Sequence, residues 1–94
     1  MEEEEPINKV AIIHDKLVSM AGSRVRVRAN MGRSRIVERE GTVLGTHDSL
    51  FIVEVDERRG RKARQSYQYV DVLTGAVILS DPETGELLFE PEEN

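Results

Sequence analysis

Three arginines at alternate positions, Arg24, Arg26 and Arg28, are the first feature of this chain suited to grip another molecule. In an extended strand, alternate residues project from one face about 7 Å apart. That interval is close to phosphate spacing along a single nucleic-acid strand, and backbone contact asks only for such charges. Arg33 and Arg35, in the next loop, extend the row. A second basic group, Arg58, Arg59, Arg61 and Lys62, crowns a turn centred on Gly60. Arginine offers a planar fork for phosphate or carboxylate and stacks on flat rings. Tyr67 and Tyr69, the only tyrosines, stand two apart and so share a face when extended. There they could stack bases or line a peptide groove.

Each feature has a plainer reading. The arginines could lay their stems on a sheet and pair with Glu38, Glu40 or Glu54 across strands. The hairpin charges could serve only to keep a turn soluble. The tyrosines could fill a barrel rim with their phenols at water.

The remaining chemistry is sparse. His14 and His47 are the only histidines, and neither lies in a ligand pattern such as HExxH. There is no cysteine, which excludes a disulfide framework, a thiol nucleophile and a thiolate metal site. Nothing resembles a nucleophile elbow or a phosphate-cradling glycine loop. The expectation is a protein that is not an enzyme, with no cofactor and no metal.

The elements that must carry these residues can be read from periodicity. Residues 6–20 predict a helix: Pro6 suits the first turn, and Glu3, Glu4 and Glu5 lie near its positive end. Ile7, Val10, Ala11, His14, Leu17 and Val18 make one apolar face, and Gly22 ends the pattern as a left-handed cap. Residues 23–29 alternate strictly, with Val25, Val27 and Ala29 on one side and the arginines on the other. After a loop at 30–34, a long strand over 35–46 contains Gly41 and Gly45, which suggest a bulge or bend. Residues 50–55 and 63–70 predict two more strands flanking the tip at 56–62. A tight link at 71–75 leads to a fifth strand at 76–80. DPETGE (81–86) is turn chemistry, LLF (87–89) a short added strand, and the last five residues a solvated end.

These elements predict a mainly β fold, a small SH3-like barrel of five to six strands with one N-terminal α-helix. The 94 residues suit one domain: a helix at 6–21, the barrel at 23–80 and an acidic extension at 81–94. No apolar run approaches the roughly 20 residues of a membrane span. The start MEEEEP is the reverse of a basic secretory signal. A cytoplasmic protein without a membrane partner is expected.

Charge is partitioned along the chain. The formal net charge is −5, but residues 1–23 carry −3, residues 24–64 carry +5 and residues 65–94 carry −7. A basic middle between acidic ends points to an anionic partner, either nucleic acid or an acidic protein patch, or to pairing within the chain.

The stretches GRSRIVEREGTVLGTHDSLFIVEVD (32–56) and RQSYQYVDVLTGAVILS (64–80) resemble the Veg family of Gram-positive bacteria. The resemblance runs from about residue 7 to 80, and SYQYVDVLT is its most specific part. The four-glutamate start, the Arg-rich tip at 58–62 and the tail beyond 81 depart from it. The resemblance implies a small cytoplasmic SH3-like barrel without catalysis, linked to biofilm-matrix gene control by opposing a transcriptional repressor. It transfers no site residue.

The leading reading is therefore a regulatory binding protein acting by protein contact, its partner a regulator such as a transcriptional repressor. A second is direct nucleic-acid binding by the Arg-rich strand and hairpin. A third is a homo-oligomer built through the N-terminal helix or a strand edge.

Overall fold

The computed structural model describes residues 9–30, 32 and 34–90. Helix α1 spans Lys9–Ser19. The expected first turn at Pro6 and Glu3 to Glu5 lies outside the described residues. Eleven residues are too few for a stable isolated helix, so α1 exists by packing. It buries Ile13 and Leu17, with Val10 and Met20 at the margin. Val18, expected on the buried face, is instead exposed, as is Ile12. The run VAII offers two apolar faces, and tertiary packing selects the one through Ile13. Gly22 does take a left-handed conformation, φ +86°, and its N–H donates to the Val43 carbonyl at 2.7 Å. The helix end is thereby tied to the sheet.

Five strands follow: β1 (Arg24–Asn30), β2 (Ile36–Thr46), β3 (Leu50–Asp56), β4 (Lys62–Gln68) and β5 (Val77–Ser80). They form one antiparallel sheet in the order β4-β3-β2-β1-β5. The fold is thus mainly β with one N-terminal helix, as the alternation predicts. The fourth strand stops at Gln68, and the expected one-turn link is a short helix, α2 (Tyr69–Thr74), that begins two residues before the expected 71. That turn drops Tyr69 and Val72 into the core and redirects the chain to β5. The strand order and this helical link between β4 and β5 are consistent with an SH3-like barrel. No ladder joins β4 to β5 among the described residues, so both remain sheet edges.

The inner face carries Val25, Val27 and Ala29 from β1, Val43 from β2, Phe51, Val53 and Val55 from β3, and Val77 and Leu79 from β5. Each fully buried aliphatic or aromatic side chain stabilises the fold by about 1.5–3 kcal/mol relative to exposure. Helices α1 and α2 close one end of the curved sheet, packing Ile13 and Leu17 with Tyr69 and Val72. In β2 the register shifts between Val43 and Gly45, leaving Leu44 as the extra residue of a bulge. The DPETGE turn forms around Asp81, whose carboxylate accepts from the Glu83 N–H at 2.7 Å. The expected added strand reduces to one bridge between Leu87 and Ser80, supported by the Leu88 N–H on the Leu79 carbonyl at 2.9 Å.

Candidate binding surface

The outer face of the sheet is a checkerboard of opposite charges. Register places Arg26 opposite Glu40 and Arg28 opposite Glu38, while Lys62 faces Asp56 and Arg64 faces Glu54. Arg24 forks onto the Asp56 carboxylate with N···O distances of 2.5 and 3.4 Å. Lys62 Nζ meets the same carboxylate at 3.1 Å. Together these two cations hold the Asp56 pKa down to about 2, the Arg24 hydrogen bond contributing most. Arg26 donates to Glu40 at 3.2 Å and to the Pro82 carbonyl at 3.2 Å. Arg24 and Arg26 are thus committed to this chain's own acids, and only Arg28 of the stripe has no carboxylate partner among the described residues. As a docking row, the stripe is largely neutralised where it stands.

A different arginine set gathers at an open end of the sheet, beside the tip that joins β3 to β4. Strand β2 alternates through Val37, Arg39, Gly41 and Val43, so Arg39 points to the inner side where an apolar residue would be expected. It stands opposite Val27 in the register. It borders a concavity of about 500 Å³, whose lining includes Val27, Ala29, Val55, Tyr67 and Val77, with Arg35 also contributing. Glu57 and Arg39 are shared with a second, more open hollow whose walls are Arg58, Arg59, Arg61 and Asp56. Arg39 spends one N–H on the Glu38 carbonyl at 3.1 Å. Among the described residues, Arg35, Arg39, Arg58, Arg59 and Arg61 form no ion pair with a carboxylate. Arg59 holds a left-handed backbone, φ 62° and ψ 33°, unusual for a residue other than glycine or asparagine. The tip thereby keeps a guanidinium where glycine would fit more easily.

Both tyrosines lie on the inner side and bracket Phe51, but not on one extended strand as expected, because β4 ends at Gln68 and the backbone turns helical at Tyr69. The ring centroids of Tyr67 and Tyr69 lie 5.7 and 5.6 Å from that of Phe51. Their exposure differs decisively. Tyr69 is 1 % exposed, and its hydroxyl donates to the His47 carbonyl at 2.8 Å, so it presents no face to a partner. The α2 turn, which breaks the two-residue period, is what buries it. Tyr67 is half-buried on the wall of the concavity. Burial pushes its hydroxyl pKa up, and the neighbouring Arg39 charge acts against that shift.

Of the residues singled out from sequence, the structure brings Arg35, Arg58, Arg59, Arg61 and Tyr67 to the open end. Arg24, Arg26, Arg28 and Lys62 lie on the outer face, and Tyr69 lies in the core. Arg33 lies outside the described residues. Arg39 belongs to neither basic group, although its inward phase in Val37-Arg39-Gly41-Val43 marks it in the sequence. His14 packs edge-on against Tyr69, centroids 5.6 Å apart, and His47 is exposed. Among the described residues no three histidines or carboxylates converge on a metal-sized site. No helix there is long and apolar enough to cross a membrane.

The strand order, the helical link at 69–74 and the inward tyrosine pair all fall within the stretch that carries the family resemblance. Residues 8–80 match the family described as biofilm formation stimulator VEG. The chain belongs to the Veg family. No curated protein matches it. The matched stretch covers α1 through β5, and so includes both the outer checkerboard and the open end. The Veg description names a stimulatory role in biofilm formation and no reaction.

Proposed function

We propose that this Veg-family chain is a non-catalytic regulatory binding protein of the cytoplasm. It would modulate biofilm-related gene expression through protein–protein contact, by opposing a transcriptional repressor. The observation that carries this reading is the split between the two arginine sets. The strand stripe, the feature best spaced for a phosphate chain, is occupied by Asp56 and Glu40. The uncommitted arginines cluster at a compact end that also holds apolar wall and carboxylates, the mixed composition of a protein contact.

Direct nucleic-acid binding is the second reading, favoured by the number of arginines at that end without a carboxylate partner among the described residues. The two differ in their response to salt and nuclease. The chain is used to capture partners from native cytosol, with and without nuclease, over a range of salt. Capture of a regulatory protein that survives nuclease is the expected result. A captured nucleic acid whose affinity falls steeply with salt, with a log–log slope of about −0.7 per phosphate contacted on a single strand, would overturn it.

A further inference from the structure

The protein-contact reading leaves open what chemistry the partner presents, and the open end narrows it. We propose that this end binds an extended acidic peptide segment of the partner, with one carboxylate on Arg39 and an adjacent aliphatic side chain on the apolar floor. The inference rests on the protein-contact reading and deepens it.

Four observations point the same way. The concavity, about 500 Å³, has room for a single side chain and its flanking backbone. Its apolar lining includes Val37, Tyr67 and Ala76, each half-buried, above Val27 and Val55 of the core, so an aliphatic group seated there would cover apolar surface that the fold leaves open. Arg39 is exposed at the edge of that lining and, among the described residues, donates one side-chain hydrogen bond, leaving most of its five donors for a carboxylate fork. Finally, the concavity draws its walls from β4 and β5, the two sheet edges that no ladder joins. An edge strand offers free backbone groups to an extended segment, which supplies affinity while side-chain pockets supply choice.

Two carboxylates decide between a peptide and a nucleic-acid strand. Glu57 and Asp71 also line the concavity. They repel a continuous run of phosphates but leave space for one carboxylate at Arg39. One face of Tyr67 is engaged with Phe51, which limits base stacking. The ligand class is therefore an acidic segment with an aliphatic residue inside it, rather than a polyanion.

The test uses the full chain and three fluorescently labelled, end-blocked peptides: EELEE, EEGEE without the aliphatic side chain, and QQLQQ without the charges. Fluorescence anisotropy should show saturable binding of EELEE, with EEGEE and QQLQQ each weaker by about tenfold or more. Arg39→Gln should weaken EELEE by about tenfold, the loss of one charge-assisted fork, whereas Arg28→Ser on the outer face should change it less than about twofold. Backbone NMR of the unaltered protein gives a readout independent of any variant: EELEE should shift Val27, Arg39, Val55 and Tyr67. Absence of EELEE binding, equal binding of EEGEE, or indifference to Arg39→Gln would overturn the proposal. Tighter binding of an oligothymidylate that displaces EELEE would overturn it in favour of nucleic acid. Self-association abolished by Arg39→Gln, without peptide binding, would overturn it in favour of a second copy. If the peptides fail while a nuclease-resistant protein partner is still captured, the site is refuted and protein contact stands.

Discussion

At the scale of single residues, Asp56 shows how the same arginine type serves two purposes in this chain. Its carboxylate binds Arg24 and Lys62 together, which lowers its pKa from the ordinary 3.8 to about 2. Because the folded value lies below the unfolded one, its contribution to stability is present above about pH 4. It is lost as pH falls from there through 2. Thermal melts between pH 5 and 2 should show Asp56→Asn melting lower than the parent at pH 5 and converging with it toward pH 2. A constant gap across that range would mean that Asp56 acts through something other than its charge. Arg39 is the contrasting residue, on the inner side and without a carboxylate partner among the described residues. Its place was legible, because alternation from Val43 back through Gly41 fixes its phase. Cluster counting obscured it, since Arg39 lies between the two basic runs. The burial of Tyr69 was not legible in the same way. A two-residue period assumes extended backbone, and the backbone turns helical at Tyr69 itself.

At the scale of elements, β2 is the central strand, laddered to β1 and β3, and its two glycines do different work. Both invite the same sequence reading, a bend. Only Gly45 lies at the bulge, and a Cβ there would meet nothing within 4 Å. Gly41 lies in regular ladder opposite Val55, where a Cβ would overlap the Glu54 carbonyl oxygen and lie 2.8 Å from Val53 Cγ1. Gly41→Ala should therefore cost about 1–3 kcal/mol, as overpacking against backbone does. Gly45→Ala should change stability by less than about 0.5 kcal/mol. Urea unfolding checks both, with an unchanged denaturant slope showing that the two states compared are the same. Equal costs would place the close approach elsewhere. Strands β1 and β3 were the most legible elements, because Val25, Val27 and Ala29, and Phe51, Val53 and Val55, stand at every second position. The face of α1 was the least, since adjacent Ile12 and Ile13 are equivalent until the sheet chooses between them.

At the scale of the whole molecule, the segmental charge imbalance is resolved in space on one side and left unresolved on the other. The outer face interleaves Arg24, Arg26, Arg28, Lys62 and Arg64 with Glu38, Glu40, Glu54 and Asp56, all from the middle segment. Composition could not show this, because register decides which charge stands opposite which. Replacing Arg24, Arg26 and Arg28 by Ser removes three positive charges and takes the net charge from −5 to −8. It leaves the four carboxylates of that face with only Lys62 and Arg64 for balance. The variant should still unfold in one cooperative transition, because no inner-face residue is altered, but with a lower melting temperature at low salt. Raising salt from about 0.15 to 1 M shortens the screening length from about 8 to 3 Å, so it should recover part of that loss in the variant and little in the parent. Capture of the partner should persist, since the open-end arginines are untouched. Loss of capture with intact folding would move the contact to the outer face. Loss of cooperative folding would mean that the stripe supports the sheet through its buried stems rather than through its charges.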